Sequence, residues 1–279
     1  MQFGIHEIQS WDFENFKKTN FYSQYKELLD QPKGLGFWAW KAYIILEAFN
    51  SINDNDIVIY SDCGHEIIAD LQPLIDICQK SAPILLFENG NLDNASWTKR
   101  DCFIRMNCDS KKYWYGKQVD ASFALFRKSK LTINFLEEWL TFCCDWQANT
   151  NNINSLGKSN LPSFIEHRWD QSILSLLSIK WNIELYRMPS QFGNHYKLPE
   201  FRIKNEFNCK NQFNPKQLSY YSTTPLLNSP YFQLLNHHRT KKQTADNNDR
   251  YVKHISTILG YPKRLVKRMA TLLHKNLSR

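Results

Sequence analysis

The chain has 279 residues, 42% of them hydrophobic and 14% aromatic, which is long enough to bury a sizeable core and too apolar for a disordered polymer. Its formal net charge of +8 is unevenly placed: residues 250–279 hold eight bases and no acid, and the remaining 27 bases balance the 27 acids of residues 1–249. A broad phosphate-binding face for nucleic acid is therefore not expected. The seven cysteines are odd in number and include no CxxC pair, which argues against a disulfide framework or a zinc site and for thiols packed in a core.

The opening MQFGIHEIQSWDFENF has early acids and no apolar stretch, so it does not read as a signal peptide. No run approaches the roughly 18 apolar residues of a membrane span. A cytoplasmic protein is expected. In chain order, residues 11–30 place Phe13, Phe16, Tyr25 and Leu28 at loosely helical spacing, and Gln31-Pro32-Lys33-Gly34 breaks that helix. Residues 38–50 read as a largely buried helix, and Asn53-Asp54-Asn55-Asp56 as a turn. The β-branched run 57–60 reads as a buried strand ending at Ser61-Asp62-Cys63-Gly64. A helix over 67–80, strands at 83–87 and 121–126, and an amphipathic helix at 130–147 follow, the last with Leu136, Trp139, Leu140 and Cys143 on one face. The Asn- and Ser-rich run 147–162 reads as a loop, 170–179 as a helix opening with Asp170, and 188–248 as irregular. Alternating helix and buried strand through the first 180 residues predicts a layered α/β core.

Four constellations bear on chemistry. Asp62-Cys63-Gly64 follows a strand directly, where open α/β sheets bind ligands, and such an acid can hold Mg2+ or Mn2+ against a diphosphate; an ordinary strand-ending turn is the competing reading. In Gly34-Leu35-Gly36-Phe37-Trp38-Ala39-Trp40-Lys41, a lysine sits in the first turns of a helix, where the dipole disfavours a cation and an anion nearby would explain it. Packing tryptophans and a solvated lysine explain it equally. Asp170-Gln171 at a helix start suits a general base or a grip on sugar hydroxyls, and also a simple N-cap. His237-His238-Arg239 can supply a metal ligand and a diphosphate clamp, as His195 can more weakly, or can be plain surface. HExxH, GxSxG and P-loop patterns are absent.

Taken in order, seven blocks resemble the GT-A type nucleotide-sugar-dependent glycosyltransferases of bacterial and viral surface-glycan synthesis. They are GLGFWAWKAYIIL (34–46), DIVIYSDCG (56–64), WTKRDCF (97–103), QVDASFALFRKS (118–129), EEWL (137–140), HRWDQSILSLL (167–177) and HHR (237–239). The layout is also similar to glycogenin-like and lipooligosaccharide galactosyltransferases. The resemblance spans about residues 34–240. It implies an α/β fold of GT-A (Rossmann-like) type, a mixed central sheet flanked by helices, over residues 1–249, followed by a basic helical tail over 250–279. It implies that Asp62 is the principal acid of a degenerate DxD motif, bound to Mn2+ or Mg2+ and to the donor diphosphate, with Gly64 standing where a second Asp is usual. Ala121 and Ser122 would line the donor sugar, and Asp170 and Gln171 would lie at the junction of sugar and acceptor. His238 would be the late metal ligand and Arg239 a phosphate contact, with Lys41, Lys99 and Arg100 as further donor contacts. One departure is visible: only residues 1–8 precede the first helix, where GT-A domains usually open with a strand that cradles the base.

The resemblance implies as partners a nucleotide diphosphate sugar and a glycan or lipid-linked glycan acceptor. The tail mixes its bases with Ile255, Ile258, Leu259, Leu265, Val266, Met269, Leu272 and Leu273. A basic amphipathic segment of this kind suits peripheral attachment to an anionic membrane surface, at the inner face of the membrane; a helix docked on the catalytic domain fits as well. A catalytically inactive sugar-nucleotide-binding relative and a nucleotidyltransferase are the alternative functions, and a nucleic-acid-binding module using the basic tail is a further one.

Overall fold

The computed structural model describes residues 3–194 and 226–237 of the chain. His195, His238, Arg239 and the basic tail 250–279 lie outside the described residues.

The N-terminal region is helical in pieces: α1 (Phe13–Phe16), α2 (Asn20–Gln24) and α3 (Lys26–Leu29). The expected single helix over 11–30 is interrupted because Thr19 restarts the chain, its hydroxyl accepting from the backbone N–H of Tyr22. The segment α4 (Gly34–Phe37) is a tight turn rather than a regular helix, with Leu35 at φ 51° and Gly36 at φ 83°. It feeds α5 (Trp40–Asn50), the expected buried helix.

After the turn at 53–56 come β1 (Ile57–Ser61) and β2 (His65–Ile67), and then α6 (Gln72–Lys80). The helix starts later than the pattern over 67–80 suggests. Pro73 belongs in a first turn, and residues 65–67 pair instead with a strand far along the chain. The long strand β3 (Ile84–Asp93) is followed by three short helices, α7 (Asn94–Trp97), α8 (Arg100–Arg105) and α9 (Lys111–Trp114). Then come β4 (Lys117–Val119), β5 (Phe123–Arg127), α10 (Lys130–Cys143), α11 (Trp146–Asn149) and α12 (Asp170–Lys180). The described chain closes with β6 (Leu185–Tyr186), α13 (Gln191–Asn194) and β7 (Leu235–His237). Among the described residues no strand precedes α1.

The central sheet runs in the order β1-β5-β3-β4, all antiparallel, with β6 added in parallel to β3. A separate two-stranded ladder pairs β2 with β7. This is a mixed α/β architecture with helices on both faces of the sheet. Ala124 and Phe126 of β5 and Ile84 and Leu86 of β3 pack into the core shared with α5, α10 and α12. Their neighbours Phe123, Leu125, Leu85 and Phe87 pack on the opposite face with Leu74 and Cys78 of α6. Successive strand residues point to opposite faces, so a strand covered on both sides reads as a continuous apolar run. That is why both strands were visible in the sequence. Four of the cysteines, Cys78, Cys102, Cys108 and Cys143, are buried free thiols, and burial pushes each of them up. Among the described residues no helix is long and apolar enough to cross a membrane.

Candidate active site

The site is built where β1 ends, where β5 begins and where α5 and α12 start. Asp62 follows the last residue of β1, and its backbone N–H donates to the Ser122 carbonyl at 2.8 Å. This bond ties the turn after β1 to the two small residues that lead into β5. Tyr60, two residues earlier and so on the same face of the strand, donates its hydroxyl to Asp62 Oδ1 at 2.5 Å. Burial and the neighbouring Asp62 carboxylate push the Tyr60 phenol well above its usual range, so it remains a donor.

Lys41, the second residue of α5, is 4% exposed. Its ammonium donates to the Ala121 carbonyl at 3.0 Å and lies 3.3 Å from Asp62 Oδ1 and 3.2 Å from Asp170 Oδ2. It has three donors and meets three oxygens. The anion that the sequence suggested for this lysine is therefore supplied by the protein itself, as two carboxylates. Burial alone would lower the Lys41 pKa, but Asp170 and Asp62 outweigh it and hold the group charged.

Asp170 is the first residue of α12 and is 4% exposed. It is not the side-chain N-cap that one sequence reading allowed. Trp169 holds that position, with φ 50° and ψ −122°, and no side chain caps the helix. Trp139 Nε1 donates to the Asp170 carbonyl at 3.1 Å and fixes the helix start from α10. Burial raises the Asp170 carboxyl from its ordinary value to about 7; Lys41 opposes this and Asp62 adds to it. A carboxyl that titrates near neutrality is suited to take a proton from an acceptor group.

A third acid, Asp120, is 5% exposed and accepts from the Ser122 backbone N–H at 2.7 Å and from the Ser122 hydroxyl. Three carboxylates, Asp62, Asp120 and Asp170, thus act on one ammonium. Gln171 reaches this cluster through its backbone, whose hydrogen bond to Asp170 opposes the rise of that carboxyl, while its side chain bonds elsewhere. Its amide accepts from Asn89 at 3.2 Å and donates to Gln118 at 2.8 Å, and Gln118 donates to Asn94 at 2.8 Å and to Thr98 at 3.2 Å. This buried amide chain joins the first turn of α12 to β3, β4 and α7.

Gly64 lies in the turn between β1 and β2. Just beyond it, His65 approaches Ser122 Oγ at 3.4 Å and Ser61 Oγ at 3.2 Å, and its ring lies 4.3 Å from that of His237, its partner in β7. Of the expected site residues, the fold brings together Lys41, Asp62, Ala121, Ser122 and Asp170. It places Lys99 and Arg100 elsewhere. Arg100 is held by Asp109 at 2.8 Å and covers the Trp114 ring at 5.0 Å. Lys99 faces a separate cavity formed with residues 151–167.

Sequence reasoning passed over Tyr60, Asp120 and the His65–His237 pair. The acid directly before Ala121-Ser122 and the tyrosine at i−2 from Asp62 were available signals. Nothing local could join residue 65 to residue 237.

The remaining Asp62 oxygen, Oδ2, has no partner among the described residues, and the side chain is 34% exposed. One carboxylate edge is thus open for a cation here. Among the described residues no cluster of three or more His, Cys, Asp or Glu side chains suits a metal.

No family model matches the chain. No curated protein matches it. Among solved structures, the apo form of mouse xyloside xylosyltransferase 1 aligns over 79% of this chain and 71% of its own, with 8% identity and a TM-score of 0.41.

Proposed function

We propose that this chain is a GT-A type glycosyltransferase that moves a sugar from a nucleotide diphosphate donor to a glycan or lipid-linked glycan acceptor. The observation that carries the reading is the meeting of Asp62 and Asp170 on the ammonium of Lys41, at the end of β1 and the start of α12. The order of the sequence blocks 34–46, 56–64, 118–129 and 167–177 supports it, because each of them contributes a residue to that cluster.

In this mechanism Asp170 accepts the proton of the acceptor hydroxyl, which its near-neutral pKa allows. Lys41 holds Asp62 and Asp170 at fixed separation, so the two carboxylates need no rearrangement when substrate arrives. Ala121 and Ser122 present backbone and small side chains to the sugar, leaving room for its ring. A divalent ion, Mn2+ or Mg2+, held by Asp62 and His238, belongs to the proposal; when bound it would neutralise the leaving diphosphate. Arg239 would add a second positive charge there, and the basic tail 250–279 would bring the enzyme to an anionic membrane surface bearing the acceptor.

The test is thermal stabilisation by a panel of nucleoside diphosphates and nucleotide sugars, with and without Mn2+. A ligand at about 100 times its Kd stabilises by roughly 2.7 kcal/mol. The reading requires such a shift for one nucleotide, dependent on metal and lost in Asp62→Ala. An unshifted melting curve with every nucleotide sinks it.

A further inference from the structure

Lys99, which precedes α8, is 3% exposed, and its ammonium makes one contact, a long 3.4 Å hydrogen bond to the Asn152 carbonyl. An ammonium has three donors, and a buried one is normally paired. No carboxylate forms an ion pair with it among the described residues. The acids that act on it, Asp101 and Asp145, are committed elsewhere: Asp101 accepts from Ser155 and Leu156 backbone N–H groups at 2.6 and 3.2 Å, and Asp145 binds Arg105 and caps α11. Burial accordingly lowers the Lys99 pKa.

Lys99 lines a cavity of about 680 Å3, within the usual size range of small-ligand sites, roughly 300–1,000 Å3. Beside it His167, 4% exposed, spends Nδ1 as acceptor for the Lys99 backbone N–H at 3.3 Å. The other walls include the side-chain amides of Asn151 and Asn152, the Phe164 ring and the Glu166 carboxylate. Asn151 accepts from Trp169 Nε1 at 2.8 Å, which leaves its amide NH2 for a ligand. None of Lys41, Asp62, Ala121 or Asp170 lines this cavity, yet His167 stands three residues before Asp170.

We propose that this cavity binds an acidic saccharide, with one carboxylate against Lys99 and hydroxyls against Asn151, Asn152 and Glu166. The Lys99 ammonium supplies the charge that a ligand carboxylate pairs with, and the Glu166 carboxylate, on the same lining, accepts from hydroxyls. Amide and carboxylate groups recognise hydroxyls in both directions, and an aromatic ring covers the apolar face of a pyranose. If the transferase reading holds, this is the place of the acceptor, and that assignment rests on it. Binding itself does not.

The experiment is calorimetric titration of the full chain with trigalacturonate, with neutral galactotriose and with inorganic phosphate, on the wild type, Lys99→Met and Asn152→Ala. The expected result is binding of trigalacturonate at least about tenfold tighter than of galactotriose, as a charge-assisted contact gives, and its loss in Lys99→Met. That variant should melt at a higher temperature than the wild type, because an unpaired buried charge is gone; a lower melting temperature would make Lys99 a structural pillar and overturn the proposal. Asn152→Ala, changed at an exposed side chain, should weaken binding several-fold without changing the melting temperature, and unchanged binding there overturns the saccharide contact. Equal binding of the acidic and neutral sugars, phosphate binding as tight as trigalacturonate, or no binding at all also overturns the proposal. Displacement of trigalacturonate by a nucleoside diphosphate would do the same, since it would make the cavity a donor site. A chain that binds trigalacturonate but no nucleotide would retain this site and lose only the transferase reading.

Discussion

The ammonium of Lys41 lies 3.2 Å from the carboxylate of Asp170, so the first turn of α5 and the first residue of α12 are held together inside the core by one ion pair. Both groups are almost fully buried, and a buried pair broken on one side leaves the other charge without compensation. Lys41→Met should cost about 3–5 kcal/mol at pH 8, where Asp170 would otherwise be ionised. At pH 5 the penalty should be clearly smaller, because a carboxyl that titrates at about 7 is then protonated. Urea unfolding at the two pH values checks this, and equal penalties would contradict it.

Asp170 has a second consequence. Its folded-state pKa is raised, so the folded chain holds that proton more tightly than the unfolded one. The resulting stability is complete below the ordinary carboxylate range and is lost as pH rises through about 7. Asp170→Asn should therefore be favoured increasingly over the wild type as pH climbs from 4 to 8, by on the order of a few kcal/mol across the range. Under the transferase proposal the same variant should lose roughly 10²–10⁴-fold in transfer rate, and the wild-type rate should fall below about pH 7. A rate independent of pH between 5 and 8 would remove Asp170 as the base.

His167 runs the other way. Burial lowers its pKa to about 3, so the folded chain keeps it neutral. The stability it contributes is present above its ordinary value and is lost as pH falls through that range toward 3. His167→Gln should flatten the acid limb of the melting curve between pH 6.5 and 4. Because Asp170 and His167 bend the curve in opposite senses, each is read as a difference between variant and wild type. Parallel curves for His167→Gln and wild type would refute the neutral histidine.

Gly36 sets the approach to Lys41. It adopts φ +83°, and a Cβ there would lie 2.7 Å from Leu29 Cα and 2.9 Å from the Leu28 carbonyl. Gly36→Ala should cost about 2–4 kcal/mol, the sum of a left-handed backbone and an overpacked contact. Gly157 has nearly the same φ, +78°, with nothing within 4 Å of its Cβ position, so Gly157→Ala should cost only about 1 kcal/mol. Chemical denaturation of the two variants separates clash from conformation, and equal losses would show that packing at Gly36 is slack.

The tight turn before Lys41 has a counterpart at Trp169, just before Asp170. Trp38 at φ 59° and Trp169 at φ 50° both lie in the left-handed region, and their rings pack 5.2 Å apart. Such conformations cost of order 1–3 kcal/mol each and persist where the surroundings impose them. Here the two strained tryptophans flank the two residues of the buried ion pair.

The sequence by itself determined the local parts: β1 ending just before Asp62, the buried helix carrying Lys41, the two-faced strands β3 and β5, and α12 opening at Asp170. Each is written in a short-range pattern, a β-branched run or a helical period, which adjacent residues suffice to express. Only the tertiary structure decided which of these parts meet. It put Lys41, Asp62 and Asp170 on one ion cluster and added Tyr60 and Asp120. It sent Lys99 and Arg100, adjacent in the same motif, to a cavity and to an Asp109 clamp, and it paired residues 65–67 with 235–237. Apart from Tyr60 on Asp62 and Asp109 on Arg100, these are contacts between segments tens to more than a hundred residues apart. Their free energy comes from burial and from charge compensation in the finished core, and no local window of the sequence contains either.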